Sequence, residues 1–285
     1  MAEFKKAFVT GWPVNHSRSP LIHNHWLKKH GLGDAGEYLK RPCEPEDLVE
    51  FLTHLREEGF VGGNVTVPHK EATFDLIAHP QPEAELLGAV NTVWLDQDGE
   101  LQGTNTDGYG FLANLDDRHP NWDSAANREK AALVLGAGGA SRAIIHSLMQ
   151  RGFARIIIAN RTLSKAEALA EHFGTPCHAA DIAGITSETV DPSLIVNTTS
   201  IGMNDGQSPL DLSGFASSTL VHDIVYTPLV TPLLAQARQL GMPIVDGLGM
   251  LLHQAVPGFE KWFGIRPEVD DALRQILLND LGETG

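Results

Sequence analysis

The run Ala131-Ala132-Leu133-Val134-Leu135-Gly136-Ala137-Gly138-Gly139-Ala140-Ser141 decides the fold. Five consecutive apolar residues predict a strand buried on both faces, and a helical pattern then runs from the glycines to Arg151. Gly136 permits a tight turn, and Gly138 lets a pyrophosphate approach the backbone at the helix N-terminus. The third fingerprint position holds Ser141, a small side chain in place of Gly or Ala. A glycine trio alone also fits a plain strand-to-helix turn, so the surroundings must decide. A strand over 155–159, a helix over 162–173 and further apolar strands over 194–197, 220–225 and 244–246 continue the alternation. That is the pattern of a parallel sheet covered by helices, a Rossmann-type dinucleotide-binding domain.

Upstream, the chain predicts a strand over 4–10 and a helix over 19–30. A second helix over 46–58 carries Leu48, Phe51, Leu52 and Leu55 on one face. A strand over 63–67 is closed by Pro68, and strands over 89–95 and 100–103 pair through Asp96-Gln97-Asp98-Gly99. The polar stretch 116–130 is the expected linker. After Gly249 the pattern is helical to Leu281, with breaks expected at Pro257 and Pro267. These helices have no strands of their own and are expected to pack on the first domain.

The 285 residues exceed one average domain, and with 42% hydrophobic and 20% charged residues the chain is globular. A net charge of −15 argues against general binding to nucleic acid or to an anionic membrane. No apolar run is long enough for a membrane span, and the segment after Met1 lacks a secretory pattern. Cys43 and Cys177 lie far apart, which fits a reducing cytoplasm. The 13 histidines form no ligand set: His23 and His25 project from different sides of their helix, and His-Glu-x-x-His is absent. No metal is expected. Gly-x-Ser-x-Gly is absent too, which disfavours an α/β-hydrolase.

The second strand of the nucleotide domain ends in Asn160-Arg161-Thr162, followed by Ser164 and Lys165. An NAD enzyme places a carboxylate there for the ribose hydroxyls, but none occurs before Glu167. Arg161 and Lys165 suit a 2′-phosphate. The plain alternative is a solvated helix start capped by Thr162, although cations are disfavoured at a helix N-terminus. NADP is the expected cofactor.

Three polar stretches mark the first domain. In Asn15-His16-Ser17-Arg18-Ser19-Pro20, the two serines lie two apart in an extended segment and point the same way. Ser19 also reads as a helix cap with Pro20 at the first helical position. In Gly62-Gly63-Asn64-Val65-Thr66-Val67-Pro68-His69-Lys70, Lys70 taken alone would be a surface lysine. Asn91-Thr92 and Gly103-Thr104-Asn105-Thr106-Asp107-Gly108 complete the set, with Asp107 also placed to cap a helix.

Together with Asn160-Arg161-Thr162 and Gly247-Leu248-Gly249-Met250-Leu251, these stretches resemble the shikimate dehydrogenase family, in order, from Ser17 to Gln254. The resemblance implies NADP-linked interconversion of 3-dehydroshikimate and shikimate, on the way to chorismate and the aromatic amino acids. It implies a discontinuous substrate domain, 1–106 and 249–285, closing against a Rossmann domain, 107–248. Ser17 and Ser19 would bind the substrate carboxylate, with Tyr226 nearby, and Thr66, Asn91 and Gln254 would hold ring hydroxyls. Lys70 and Asp107 would flank the reacting carbon. Reduction of a ketone puts charge on oxygen that must be stabilised and protonated, and a lysine beside a carboxylate suits that task. His69 is the rival general acid.

The resemblance assigns the cofactor to Gly136, Ala137, Gly138, Gly139 and Ala140. It adds Asn160, Arg161, Thr162 and Lys165, with Gly247 and Met250. Lys165 stands where the family often has Arg, which softens NADP selectivity. His253 stands where a small residue is common, and nothing in the sequence explains it. Serine at both 17 and 19 favours shikimate over quinate. Two other functions compete: a quinate/shikimate dehydrogenase with relaxed use of NAD and NADP, and a catalytically silent NADPH-binding sensor. A monomer or homodimer acting on a small molecule is expected.

Overall fold

The computed structural model describes residues 4–204 and 206–283. The reading of the segment after Met1 falls in part on residues outside that range. Two compact units form, Met1–Thr106 with Leu252–Gly285, and Asp107–Leu251.

The first unit runs β1 (Lys5–Gly11), α1 (Ser19–Lys29), β2 (Gly36–Pro42), α2 (Leu48–Thr53), β3 (Phe60–Val65), α3 (Lys70–Leu76), α4 (Pro82–Leu87), β4 (Thr92–Leu95) and β5 (Leu101–Thr104). Its sheet has the order β2-β1-β3-β4-β5. The first three strands are parallel, while β4 pairs antiparallel with both β3 and β5. Phe8, Phe60, Val65 and Val93 share a core with Leu48, Phe51, Leu52 and Leu55.

The helix expected over 46–58 is shorter. A 3₁₀ turn occupies Pro45–Asp47, and α2 ends at Thr53. The chain then turns, with Phe60 N–H bonding Leu55 O at 2.8 Å and Gly59 at φ 78°, to enter β3. The strand expected over 63–67 is Phe60–Val65. Strand β2 has no counterpart among the expected elements.

The second unit continues α5 (Asp107–Arg118), α6 (Ala125–Glu129), β6 (Ala131–Leu135), α7 (Gly139–Gln150), β7 (Arg155–Asn160), α8 (Leu163–Phe173), β8 (Cys177–Asp181), β9 (Pro192–Asn197), β10 (Leu220–Asp223), α9 (Pro232–Gln239), β11 (Ile244–Val245) and α10 (Leu248–His253), whose last two residues belong to the first unit. The strand order is β11-β10-β9-β6-β7-β8, parallel throughout. Strand pleating sends alternate residues of β6 into two cores. Ala132 and Val134 meet Phe111, Ile144, Ile145 and Leu148, whereas Leu133 and Leu135 meet Leu233, Leu234 and Ala237. Each large apolar side chain among these contributes about 1.5–3 kcal/mol when fully buried. Both cysteines are free.

The stretch 116–130 is not a linker. Helix α5 reaches Arg118, Ser124 caps α6, and Trp122 packs between Phe111 and Phe153, donating its indole N–H to Asp116 at 2.9 Å. The two units divide instead at Thr106/Asp107 and inside α10. The first unit closes with α11 (Ala255–Phe263) and α12 (Asp271–Leu281). The helix break expected at Pro257 falls at Gln254, because Pro257 is the third residue of α11, where an N–H has no intrahelical partner. Trp262 packs by the β3–β4 pair and donates to Val93 O at 2.9 Å.

Candidate functional site

In the first unit, the site is built where parallel β1 and β3 end. Ser17 N–H bonds Val14 O at 3.0 Å, which turns the chain toward α1. The Ser17 hydroxyl lies 3.3 Å from Ser19 Oγ, and Ser19 N–H donates to Ser17 Oγ at 3.3 Å. The two hydroxyls therefore face one point. The cap position of α1 falls at Arg18, not Ser19, and no side chain caps the helix, so Ser19 is not consumed there. Arg18 pairs with Asp280 at 2.8 Å.

Across the β1–β3 end, Thr66 N–H donates to Thr10 O at 2.9 Å. Lys70 is the first residue of α3 and half-buried, and its carbonyl accepts Val90 N–H at 2.9 Å. His69 is only 1% exposed, with Nε2 2.9 Å from Cys43 O. Its ring is packed in the core of the first unit.

Asn91 precedes β4. Its Oδ1 accepts the Thr106 N–H at 2.9 Å and the Thr92 hydroxyl at 2.8 Å. Thr106 Oγ1 lies 3.5 Å from Gln254 Oε1. Asn91 and Gln254 are thus joined through Thr106, and the next residue, Asp107, opens α5 in its first turn.

The second unit carries the expected nucleotide half at the C-terminal ends of β6 and β9, the point where strand order reverses. Gly136 has φ 110°, and a β-carbon there would lie 2.6 Å from Thr198 Oγ1. Gly138 and Gly139 are exposed, and a β-carbon on either would meet nothing within 4 Å. Ala137 and Ala140 flank them, half-buried. Open space over the N-terminus of a 12-residue helix fits a pyrophosphate. Ser141 is buried and donates to Gly138 O at 2.5 Å.

At the end of β7, Asn160 Nδ2 donates to Thr162 O at 2.9 Å and closes the turn. Arg161, Thr162 and Lys165 are exposed. Thr162 stands at the cap position of α8, yet its side chain makes no capping bond, and the first turn contains no acidic residue. Cations concentrated at such a helix start fit a 2′-phosphate. Gly247 is packed against the backbone of Ile224 and Val225, and Met250 lies against the core. Tyr226, half-buried, lies three residues past β10.

Residues 9–93 match the family described as "Shikimate dehydrogenase substrate binding domain". Residues 123–201 match "Shikimate / quinate 5-dehydrogenase", and 247–277 match "Shikimate 5'-dehydrogenase C-terminal domain". The NADP(+) shikimate dehydrogenase of Rhizobium meliloti strain 1021 is 53% identical over 278 residues, 96% of this chain and 95% of that protein. The chain belongs to the shikimate dehydrogenase family. Among solved structures, the Thermus thermophilus shikimate 5-dehydrogenase in complex with NADP(H) and shikimate is 36% identical with a TM-score of 0.82, covering 96% of this chain and 100% of that one. The Corynebacterium glutamicum quinate dehydrogenase in complex with NAD is 30% identical with a TM-score of 0.87, covering 97% and 99%.

Sequence reasoning gave no role to three residues that this family member joins to the polar set. The Tyr38 hydroxyl donates to Asn64 Oδ1 at 2.6 Å, and Asn64 Nδ2 donates to Thr92 Oγ1 at 3.2 Å. Burial pushes the Tyr38 phenol well above its ordinary pKa, with Ser19 and Asn64 opposing, so it remains a donor. His23 stacks on Tyr38 with ring centroids 4.1 Å apart. Asn64 stands inside the Gly62–Lys70 stretch, whose polar residues mark it locally. Tyr38 lies on β2, where no local pattern marks it.

Proposed function

We propose that this chain catalyses the reversible NADP-linked reduction of 3-dehydroshikimate to shikimate, with Lys70 as general acid and base and Asp107 orienting it. One observation carries the activity above the rest: identity of about half over nearly the whole length with NADP(+) shikimate dehydrogenases. The Ser17–Ser19 hydroxyl pair supports capture of the substrate carboxylate, and Tyr226 is assigned to the substrate as well. Thr66, Asn91 and Gln254 hold the ring hydroxyls, in keeping with the bonds that join Asn91, Thr106 and Gln254. Bound NADPH supplies the hydride. Lys70 Nζ gives its proton to the ketone oxygen as negative charge develops there, and takes a proton from the hydroxyl in the reverse direction. The chain from Gly136 to Ala140 cradles the pyrophosphate, Asn160 shapes the turn, and Arg161, Thr162 and Lys165 receive the 2′-phosphate. Gly247 and Met250 complete the cofactor side.

We place the protein in the cytoplasm as a monomer or homodimer acting on a small molecule, with no nucleic-acid partner. Among the described residues no helix is long and apolar enough to cross a membrane.

The deciding experiment is a spectrophotometric assay crossing shikimate and quinate with NADP and NAD. Shikimate-dependent NADPH formation with little quinate turnover is expected. Comparable rates with quinate and NAD would favour the second reading, motivated by the quinate dehydrogenase of similar structure. No turnover with any pair would favour an NADPH-binding sensor.

A further inference from the structure

Asp223 ends β10, is fully buried, and has no part in the chemistry above. Its carboxylate is surrounded by donors. Asn197 Nδ2 lies 3.1 Å from both oxygens, the Thr231 hydroxyl donates to Oδ2 at 2.7 Å, and Val225 N–H donates to Oδ1 at 3.0 Å. Asn197 ends β9, and its Oδ1 accepts the N–H and hydroxyl of Thr199 at 3.0 and 2.8 Å. Thr199 Oγ1 in turn accepts Ile201 N–H at 3.2 Å.

One carboxylate therefore sets two loops. The loop after β9 lies against the glycine turn, since a β-carbon on Gly136 would come within 2.9 Å of Thr199 Cγ2 as well as reaching Thr198. The loop after β10 carries Tyr226 and returns to the network at Thr231, the cap of α9. Burial disfavours the charged form, and the donors from Asn197, Thr231 and Val225 oppose that. A buried carboxylate is a poor device for stability alone, because an apolar side chain would close the same space without desolvating a charge. What an anion adds is geometry. It accepts on both oxygens from several directions, whereas an amide in its place would turn an N–H toward one of those donors.

We propose that Asp223 is a positioning residue that fixes the loops following β9 and β10 together, so that NADPH binding beside Gly136 and substrate binding at Tyr226 depend on one buried carboxylate. The substrate half rests on the role given to Tyr226 under Proposed function; the NADPH half does not.

The test uses Asp223→Asn and Thr231→Val, with Thr231→Ser as the conservative control. NADPH affinity is measured by fluorescence titration without substrate, shikimate KM and kcat by turnover, and folding by thermal melts. Asp223→Asn should raise both the NADPH Kd and the shikimate KM by about tenfold to a hundredfold, the scale of a misplaced binding loop. Thr231→Val should move both in the same direction by less, and Thr231→Ser should stay near wild type. Should Asp223→Asn not fold, the Thr231 pair decides alone. A lower melting temperature with wild-type Kd and KM would overturn the proposal. So would a change in only one of the two constants. If the wild-type protein turns over no shikimate, the functional reading fails, while the NADPH titrations still decide whether Asp223 sets the glycine-side loop.

Discussion

Lys70 and His69 are neighbours with opposite fates, and a mutation separates them. Lys70→Ala should lower kcat by about 10²-fold or more, the usual scale for a lost general acid or base, with NADPH affinity nearly unchanged. Near-wild-type turnover in a folded variant would sink the assignment. His69→Gln should instead show its effect in stability, because its ring is bonded to Cys43 O in the core. Arg161→Ala should weaken NADPH by about tenfold and leave NADH almost untouched, since a charge-assisted contact to the 2′-phosphate exists only in the first. Equal losses for both cofactors would move Arg161 away from the 2′-phosphate. Ser141, the one departure from the glycine fingerprint, keeps the Gly138 carbonyl bonded through its buried hydroxyl. That oxygen is thereby engaged on the helix side of the turn.

The strand–turn–helix element from Ala131 to Gln150 makes its own prediction, because its glycines differ in what surrounds them. Gly136→Ala should destabilise the fold by about 1–3 kcal/mol, being both strained at φ 110° and crowded by Thr198. Gly138→Ala, at φ −102° with nothing within 4 Å, should keep its melting temperature yet weaken NADPH binding. Paired melts and NADPH titrations check this, and an unchanged affinity in Gly138→Ala would count against pyrophosphate binding at that position. This element was legible because its information is local: an apolar run, two glycines, a periodic helix. Strands β2 and β8 were not, and both lie at sheet edges. Tyr38 is the one deeply buried large side chain of β2, and β8 reads Cys-His-Ala-Ala-Asp, so neither shows the continuous apolar run that marked β6. The polar network around Asp223 escaped for another reason. Asn197 and Asp223 are 26 residues apart and meet only because β9 and β10 pair in parallel.

At the scale of the whole molecule, the buried His23 of the first unit and the buried His222 of the second resist protonation. Burial lowers His23 to about 3 and His222 to about 4, against an ordinary value of 6.5. Below pH 6.5 the unfolded chain binds protons that these sites refuse, so stability is full above that pH and falls as the pH drops toward 4. Asp223, whose pKa is raised, works in the opposite sense, favouring the fold at lower pH. Melting temperatures from about pH 8 to about pH 4 should therefore decline, and a His23→Phe, His222→Leu variant should decline less steeply. An unchanged slope would place the acid sensitivity elsewhere. The first unit has another whole-chain property. Arg18 pairs with Asp280, Lys29 with Asp270, and Trp26 donates its indole N–H to Glu268 O at 3.0 Å, so α1 is clasped by residues more than 240 positions later. Domains ordinarily complete themselves in the order in which they leave the ribosome. Here that order is inverted: the segment translated first must wait, its β3–β4 pair still lacking Trp262, until the inner unit has already been synthesised in full.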